Sequence, residues 1–162
     1  MSALRVLTIL ILTIATACRE PSIDSALKKY NQESVPYIKV SEIIPEQQNF
    51  IMDAREEEEY KVSHIPGAHW VGYSTFEIDS LEQRVPKDTS IVIYCSVGIR
   101  SEDIGERLLE RGFTDVHNLY GGIFEWKNSG GLVVDSVGNQ TENVHAYSKY
   151  WDHLLTQANK VY

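Results

Sequence analysis

A continuous run of β-branched and apolar residues constrains the fold of this chain more than any other feature. Residues 90–94 read SIVIY, the pattern of a strand buried on both faces. A helix pattern follows at 101–111, with Glu102 and Asp103 in its first turn and Gly112 just beyond its end. A buried strand that leads through a short loop into a helix is typical of a parallel α/β sheet.

The rest of the chain alternates in the same way between strand and helix patterns. In chain order, strands are predicted at 37–40, 49–53, 70–71 and 115–119, and helix starts at 56–59 and 123–128. The polar residues 21–35 predict a tether or a short helix that Ser22 could cap. In 147–158, apolar residues spaced three and four apart predict a C-terminal amphipathic helix that packs on its own domain.

Composition narrows the function classes. The chain has 15 Lys and Arg against 23 Asp and Glu, a formal net charge of −8, whereas nucleic-acid binders normally carry a basic face. We therefore expect no nucleic-acid partner. With 162 residues, 43% of them hydrophobic, one globular domain is expected. The two cysteines exclude a disulfide scaffold, and the five histidines show no metal-ligand spacing, so we expect no metal and no cofactor.

The N-terminus carries an export signal pattern. Residues 6–17 are uncharged and follow Arg5, but they are too few for a membrane span of about 20 residues. The segment ATAC at 15–18 resembles the lipobox of bacterial lipoproteins, although that family more often has Leu where Ala15 stands. The resemblance implies cleavage of residues 1–17, a lipid on Cys18, and a membrane-anchored protein exported to the periplasm or cell envelope. A plain secretory signal is the alternative.

The loop after the predicted buried strand carries a cysteine. Cys95 ends the strand, and four residues, Ser96, Val97, Gly98 and Ile99, separate it from Arg100. We expect loop N–H groups to surround the sulfur, with the helix start and Arg100 adding positive charge. Thiolates are favoured in such places, which predicts that Cys95 is a nucleophile. The alternative is a small hydrophobic residue at the end of a core strand.

The loop and three other segments resemble the rhodanese family. In chain order the matching segments are MDAR at 52–55, HIPGAH at 64–69, CSVGIRS at 95–101 and LYGGIFEW at 119–126. The resemblance implies a three-layer α/β fold with a five-stranded, mainly parallel sheet flanked by helices. It also implies an enzyme that moves sulfane sulfur from thiosulfate or another persulfide donor to cyanide or a thiol, through a persulfide on Cys95. The implied rhodanese domain spans 36–135, preceded by the tether or helix at 18–35 and followed by a loop and helix at 136–162.

Two other functions remain open from the residues. Cysteine-based phosphatases and arsenate reductases share the order of cysteine, arginine and helix, but they place five residues between Cys and Arg. The four residues 96–99 would make a smaller ring of amides, which suits one sulfur atom better than a tetrahedral oxyanion. Tyr94 also stands where tyrosine phosphatases carry His. The other possibility is a module that binds persulfide or a partner without turnover.

Further polar residues have two possible roles each. Asp53 and Arg55 follow a strand that should neighbour the active strand, so they either line the pocket or form a salt bridge. Ser101 either caps its helix or donates to the sulfur. His64 is interpreted as a hydrogen-bonded loop histidine rather than a base. The run Glu56–Glu59 is interpreted as a solvated helix face.

Overall fold

The computed structural model describes residues 21–43 and 49–162, so the predicted leader and Cys18 lie outside the described residues. A five-stranded sheet forms the centre of the protein, in the spatial order β1-β5-β4-β2-β3. Its strands are β1 (Tyr37–Ile38), β2 (Phe50–Asp53), β3 (His69–Trp70), β4 (Ile91–Tyr94) and β5 (Val116–Leu119). Every pairing in this sheet is parallel. The predicted α/β class with a five-stranded parallel sheet is confirmed.

Helices cover both faces of the sheet. The α-helices are α1 (Ile23–Tyr30), α2 (Glu57–Val62), α3 (Ile78–Glu82), α4 (Arg100–Glu110) and α5 (Gly122–Asn128). A 3₁₀ helix at Val40–Glu42 follows β1. Ser22 caps α1 by accepting the Ser25 N–H, as predicted, whereas α3 was not predicted.

Strand β4 divides the core into two layers. Its four side chains are all buried, and successive residues point to opposite faces of the sheet. Val92 and Tyr94 join the cluster under α1 and α5. Ile91 and Ile93 join the cluster under α3 and α4. Burial on both faces explains the β-branched and apolar sequence of β4, and the loop at 95–99 starts from the end of this buried strand.

The predicted C-terminal helix is wrong. Residues 147–158 instead form turns, among them a 3₁₀ turn at Asp152–Leu154. Two short strands flank this segment, β8 (Asn143–His145) and β9 (Asn159–Val161), and β6 (Val133–Val134) and β7 (Gln140–Thr141) precede β8. Strand β8 pairs with β9 in parallel, and Tyr147 has a left-handed backbone with φ +63°, which an α-helix cannot contain. Leu154 and Leu155 still reach the core, so part of the apolar pattern is buried without a helix. Among the described helices, none is long and apolar enough to cross a membrane.

Candidate active site

Cys95 lies at the carboxyl end of β4, the edge where open parallel sheets place their ligands. Its side chain is buried, at the floor of a pocket. The Gly98 N–H donates to the sulfur at 3.2 Å, and the Ser101 hydroxyl oxygen lies 3.6 Å from it. Among the described residues, Gly98 supplies the one backbone amide bonded to this sulfur. Ser96, Val97 and Ile99 line the pocket without such a bond, so a single amide bond stands where several loop N–H groups were expected around the sulfur.

The start of α5 holds the first half of the loop in place. The carbonyl oxygens of Cys95 and Ser96 accept the N–H groups of Ile123 and Phe124, at 2.9 and 3.1 Å. Gly122 makes this approach possible, because its φ is +55° and a Cβ there would lie 2.3 Å from the Cys95 carbonyl oxygen. The glycine turn in the sequence therefore serves the active loop.

Two asparagines fix the second half of the loop, and the sequence analysis missed both. The Gly98 carbonyl accepts an N–H from Asn31 and another from Asn118, each at 2.8 Å. The Oδ1 of Asn118 accepts the Ser101 hydroxyl at 2.7 Å. Asn118 is a fully buried polar residue within a predicted strand, which is the signal that could have singled it out.

Ser101 does not cap its helix, because α4 begins at Arg100 with Ile99 as its N-cap and without a side-chain capping bond. In the first turn of α4, the Ser101 hydroxyl instead faces both the Cys95 sulfur and Asn118. Since Asn118 Nδ2 donates to the Gly98 carbonyl, its Oδ1 accepts the Ser101 proton. The Ser101 oxygen can then accept the S–H of a protonated Cys95.

Glu59 lies in the site, and its predicted place on a solvated helix face is wrong. It is buried with 3% exposure, whereas the interpretation of Glu56–Glu59 was a solvated face. Its carboxylate accepts two N–H bonds from the Arg100 guanidinium, at 2.7 and 2.9 Å, and the Ser96 hydroxyl at 2.9 Å. One oxygen also accepts the Glu56 N–H, which fixes the carboxylate at the start of α2.

Glu59 and Arg100 each stabilise the charged form of the other. Burial opposes ionisation of Glu59, but the hydrogen bonds and charge of Arg100 outweigh it, so the pKa of Glu59 lies below its ordinary value. Burial likewise opposes the charge on Arg100, but the hydrogen bonds that Arg100 donates to Glu59, together with the neighbouring Cys95, raise the pKa of Arg100. Arg100 thus stays charged beside the thiol, with its guanidinium held by Glu59.

Asp53 and Arg55 do not line the pocket. Both side chains are fully buried and joined at 2.6 Å, and Arg55 also donates to the Ser63 carbonyl. The Tyr94 hydroxyl donates to Asp53 at 2.6 Å. Burial, together with the Asp53 charge, raises the pKa of Tyr94 well above its ordinary value. These residues brace the ends of β2 and β4 beneath the active loop, which corrects their assignment to substrate binding.

His64 is a hydrogen-bonded loop histidine, as predicted. Its Nδ1 lies 3.2 Å from the Tyr60 carbonyl, and its ring stacks on the Tyr60 ring at 3.9 Å. Within residues 21–43 and 49–162, no group of three or more His, Cys, Asp or Glu side chains is placed to hold a metal ion.

Aromatic side chains wall the pocket above Cys95, which has a volume of about 380 Å³. The rings come from α1 and the C-terminal segment: Tyr30, Tyr147, Tyr150 and Trp151. The Arg100 guanidinium lies 4.7 Å from the centre of the Tyr147 ring. These rings were not predicted to belong to the site, because they are distant in sequence from the Cys95 loop.

Comparison with known proteins places this site in a family. The chain is 26% identical over 95 residues to the thiosulfate sulfurtransferase GlpE of Coxiella burnetii, covering 59% of this chain and 87% of that protein. It is 33% identical over 108 residues to the tRNA uridine(34) hydroxylase of Yersinia pestis, covering 61% of this chain but 30% of that one. The rhodanese-like domain of an Anabaena protein superposes with a TM-score of 0.58 at 23% identity, covering 63% of this chain and 80% of that one. A family model for the rhodanese-like domain matches residues 39–129, more than half of the chain, and the protein belongs to that family.

Proposed function

We propose that this protein is a sulfurtransferase that carries sulfane sulfur as a persulfide on Cys95. The donor is thiosulfate or another persulfide, and the acceptor is cyanide or a thiol. The supporting observation is that the Cys95 sulfur accepts the Gly98 N–H at 3.2 Å at the floor of a pocket large enough for a substrate. The similarity to the GlpE sulfurtransferase agrees with this reaction class.

The reaction proceeds in two covalent steps. The Cys95 thiolate attacks the outer sulfur of the donor, the donor's S–S bond breaks, and its electron pair departs with the leaving group, which is sulfite when thiosulfate is the donor. The acceptor then attacks the outer sulfur of the Cys95 persulfide, and the Cys95 sulfur leaves as a thiolate. The Gly98 N–H and the N-terminus of α4 stabilise the negative charge on sulfur in both steps.

Arg100 acts mainly by shaping the loop. Its guanidinium donates to Glu59 and to the Ser96 hydroxyl, and so links the loop to α2. The Ser101 hydroxyl can rotate from Asn118 toward the sulfur, 3.6 Å away, when the thiolate forms. The hydrogen bonds of Arg100 and the bond between Ser101 and Asn118 hold the loop in the shape that keeps the Gly98 N–H bonded to the sulfur.

The same geometry disfavours a phosphatase or arsenate reductase. A tetrahedral oxyanion needs several donors around it and a cation free to bind its oxygens. In the described part of the pocket, one amide is bonded to the sulfur, and both guanidinium nitrogens of Arg100 that face Glu59 are already paired. Sulfur transfer needs fewer hydrogen-bond donors than oxyanion binding, because the loop has to accommodate a single sulfur atom.

The test is intact-protein mass spectrometry after incubation with thiosulfate. We expect a gain of one sulfur atom that cyanide removes, and no gain in Cys95→Ser. Cys18→Ser is the matched control, because it removes the other cysteine of the chain and should load normally. Equal loading of Cys95→Ser, or phosphate-ester hydrolysis without sulfur loading, would refute the proposal. Loading without release to any acceptor would indicate a binding module.

We also propose that the protein is exported and anchored to a membrane through lipid on Cys18. This proposal is supported by the uncharged segment 6–17 and the ATAC segment that ends at Cys18. Stable anchoring takes more than one acyl chain, which lipoprotein processing supplies. Expression in a lipoprotein-processing host should give a membrane-bound protein whose Cys18→Ser variant is not lipidated. An unmodified Cys18 in the wild-type protein would refute the anchor.

A further inference from the structure

The wall of the pocket above Cys95 is built outside the part of the chain that matches the family. The family match covers residues 39–129, whereas the four wall rings belong to α1 and the C-terminal segment: Tyr30, Tyr147, Tyr150 and Trp151. Trp151 packs edge-on against Tyr30 at 5.7 Å and against Tyr150 at 4.9 Å. The family region thus supplies the cysteine loop and its share of the pocket lining, and these additional segments supply the aromatic side chains of that lining.

The size of the pocket exceeds what the simplest substrates need. A pocket of about 380 Å³ lies within the range of about 300–1,000 Å³ that is typical of sites for small organic molecules. Cyanide has two heavy atoms and thiosulfate has five, and either would leave most of the wall in contact with water. Cavities of this volume commonly hold organic molecules that bury most of their surface.

The charge of the pocket points to the same class of substrate. Arg100 is the one cation among the described lining residues, and Glu59 already neutralises it through two hydrogen bonds. Tyr147 covers the guanidinium further. Lys29, 4.9 Å from the centre of the Tyr30 ring, is exposed to solvent and does not line the pocket. A dianion therefore gains little from this wall, whereas an apolar group gains by leaving water.

We propose that the physiological substrate of the Cys95 site is a small organic thiol, or its hydropersulfide, that carries an aromatic or alkyl group. This inference rests on the proposed sulfur transfer. The apolar group packs against Tyr150 and Trp151, which directs the substrate sulfur down to Cys95. For the acceptor, the thiolate RS⁻ attacks the outer sulfur of Cys95–S–SH, the S–S bond breaks, and the products are RSSH and the Cys95 thiolate. A hydropersulfide donor runs the same step in reverse.

The experiment compares acceptors on protein whose Cys95 is already loaded with sulfur. Rapid mixing gives the rates of sulfur transfer to phenylethanethiol, to mercaptoethanol and to cyanide. Each thiol rate is divided by the rate of the same thiol with a free low-molecular-weight persulfide, which removes differences in intrinsic reactivity. We expect phenylethanethiol to react on the order of tenfold faster than mercaptoethanol, as one well-packed aromatic contact allows. Tyr150→Ala should remove most of this preference, and it should lower the phenylethanethiol rate several-fold more than the cyanide rate. Tyr162→Ala is the matched control, because Tyr162 is similarly exposed and does not line the pocket.

Equal normalised rates for the two thiols would overturn the inference while leaving the persulfide on Cys95 established. A cyanide rate that falls as much as the phenylethanethiol rate in Tyr150→Ala would also overturn it, because the ring would then act on the loop and not on the substrate. Should no donor load Cys95, binding to Cys95→Ser decides the chemistry of the pocket separately. Shifts of the Trp151 indole N–H signal should show phenylethanethiol binding at least about tenfold tighter than mercaptoethanol, and equal affinities would refute the inference.

Discussion

Glu59 offers the sharpest test of how the active loop is held. Glu59→Gln keeps the shape of the side chain but removes the charge that Arg100 faces at 2.7 Å. Breaking a buried ion pair commonly costs about 3–5 kcal/mol, and because the Arg100 side chain keeps 15% exposure, we expect the lower end, about 3 kcal/mol. Denaturant unfolding at neutral pH measures this free energy of unfolding.

The pH dependence of the same variant has a defined sign. The pKa of Glu59 is lower in the folded protein than in the unfolded chain, so its contribution is complete above the unfolded pKa of about 4.3. The contribution is lost as the pH falls through the folded pKa. The stability difference between wild type and Glu59→Gln should therefore be largest near neutral pH and shrink below about pH 4.

The matched control lies on the same helix. Glu57 pairs with Lys61 at 2.8 Å, but both side chains are more than half exposed, and exposed pairs contribute little to stability. Glu57→Gln should accordingly unfold like the wild type. If Glu59→Gln is no less stable than Glu57→Gln, or if its deficit is the same at neutral and acid pH, the proposed role of the Glu59–Arg100 pair is refuted.

Two other substitutions test the supports of the loop. Gly122→Ala would place a Cβ 2.3 Å from the Cys95 carbonyl and should cost both stability and sulfur loading. Gly112 is the control, because its φ is also positive but a Cβ there would meet open space. Gly112→Ala should cost only the left-handed backbone penalty of about 1–2 kcal/mol, without loss of sulfur loading. If both variants lose the same stability and loading, the clash at Gly122 is not the cause. Asp53→Asn should lower the free energy of unfolding by about 3 kcal/mol, because Arg55 loses its buried partner, yet the protein that remains folded should load sulfur from thiosulfate at the wild-type rate. A slowed loading rate in folded Asp53→Asn would instead place Asp53 at the substrate.

The elements that depend on local pattern could be predicted from the sequence. Strand β4 and helix α4 lie within one residue of their predicted bounds, because burial on both faces and charged first and last turns are visible in short windows. The position of Cys95 between them followed from the same two elements. In a parallel α/β sheet, the residue that follows a strand lies at the carboxyl edge, where ligands bind. The local patterns of the strand and the helix were therefore enough to place the thiol there.

The supports and the wall of the site depend on contacts between distant segments. Four consecutive glutamates look solvated, and only the fold brings Arg100 to Glu59 and buries that one carboxylate. The aromatic spacing in 147–158 fits a helix equally well, but pairing of β8 with β9 and the left-handed Tyr147 outweigh that local preference. In both cases the residues that contact each other are far apart in sequence, so the periodicity of a short segment could not reveal the contact.

The Glu59–Arg100 pair also determines which electrostatic groups serve the sulfur. A guanidinium joined to a carboxylate by two short hydrogen bonds acts as a dipole, whose field falls off faster with distance than that of a lone charge. In the proposed sulfur transfer, the Gly98 N–H and the start of α4 would chiefly stabilise the persulfide anion, because they lie beside the sulfur and need no free cation. Such local stabilisation suits a charge that stays on Cys95 and does little to attract a charged substrate from solution. Under the proposed substrate preference, selection among substrates would depend on the aromatic wall, where burial of an apolar group supplies the binding free energy that Arg100 does not.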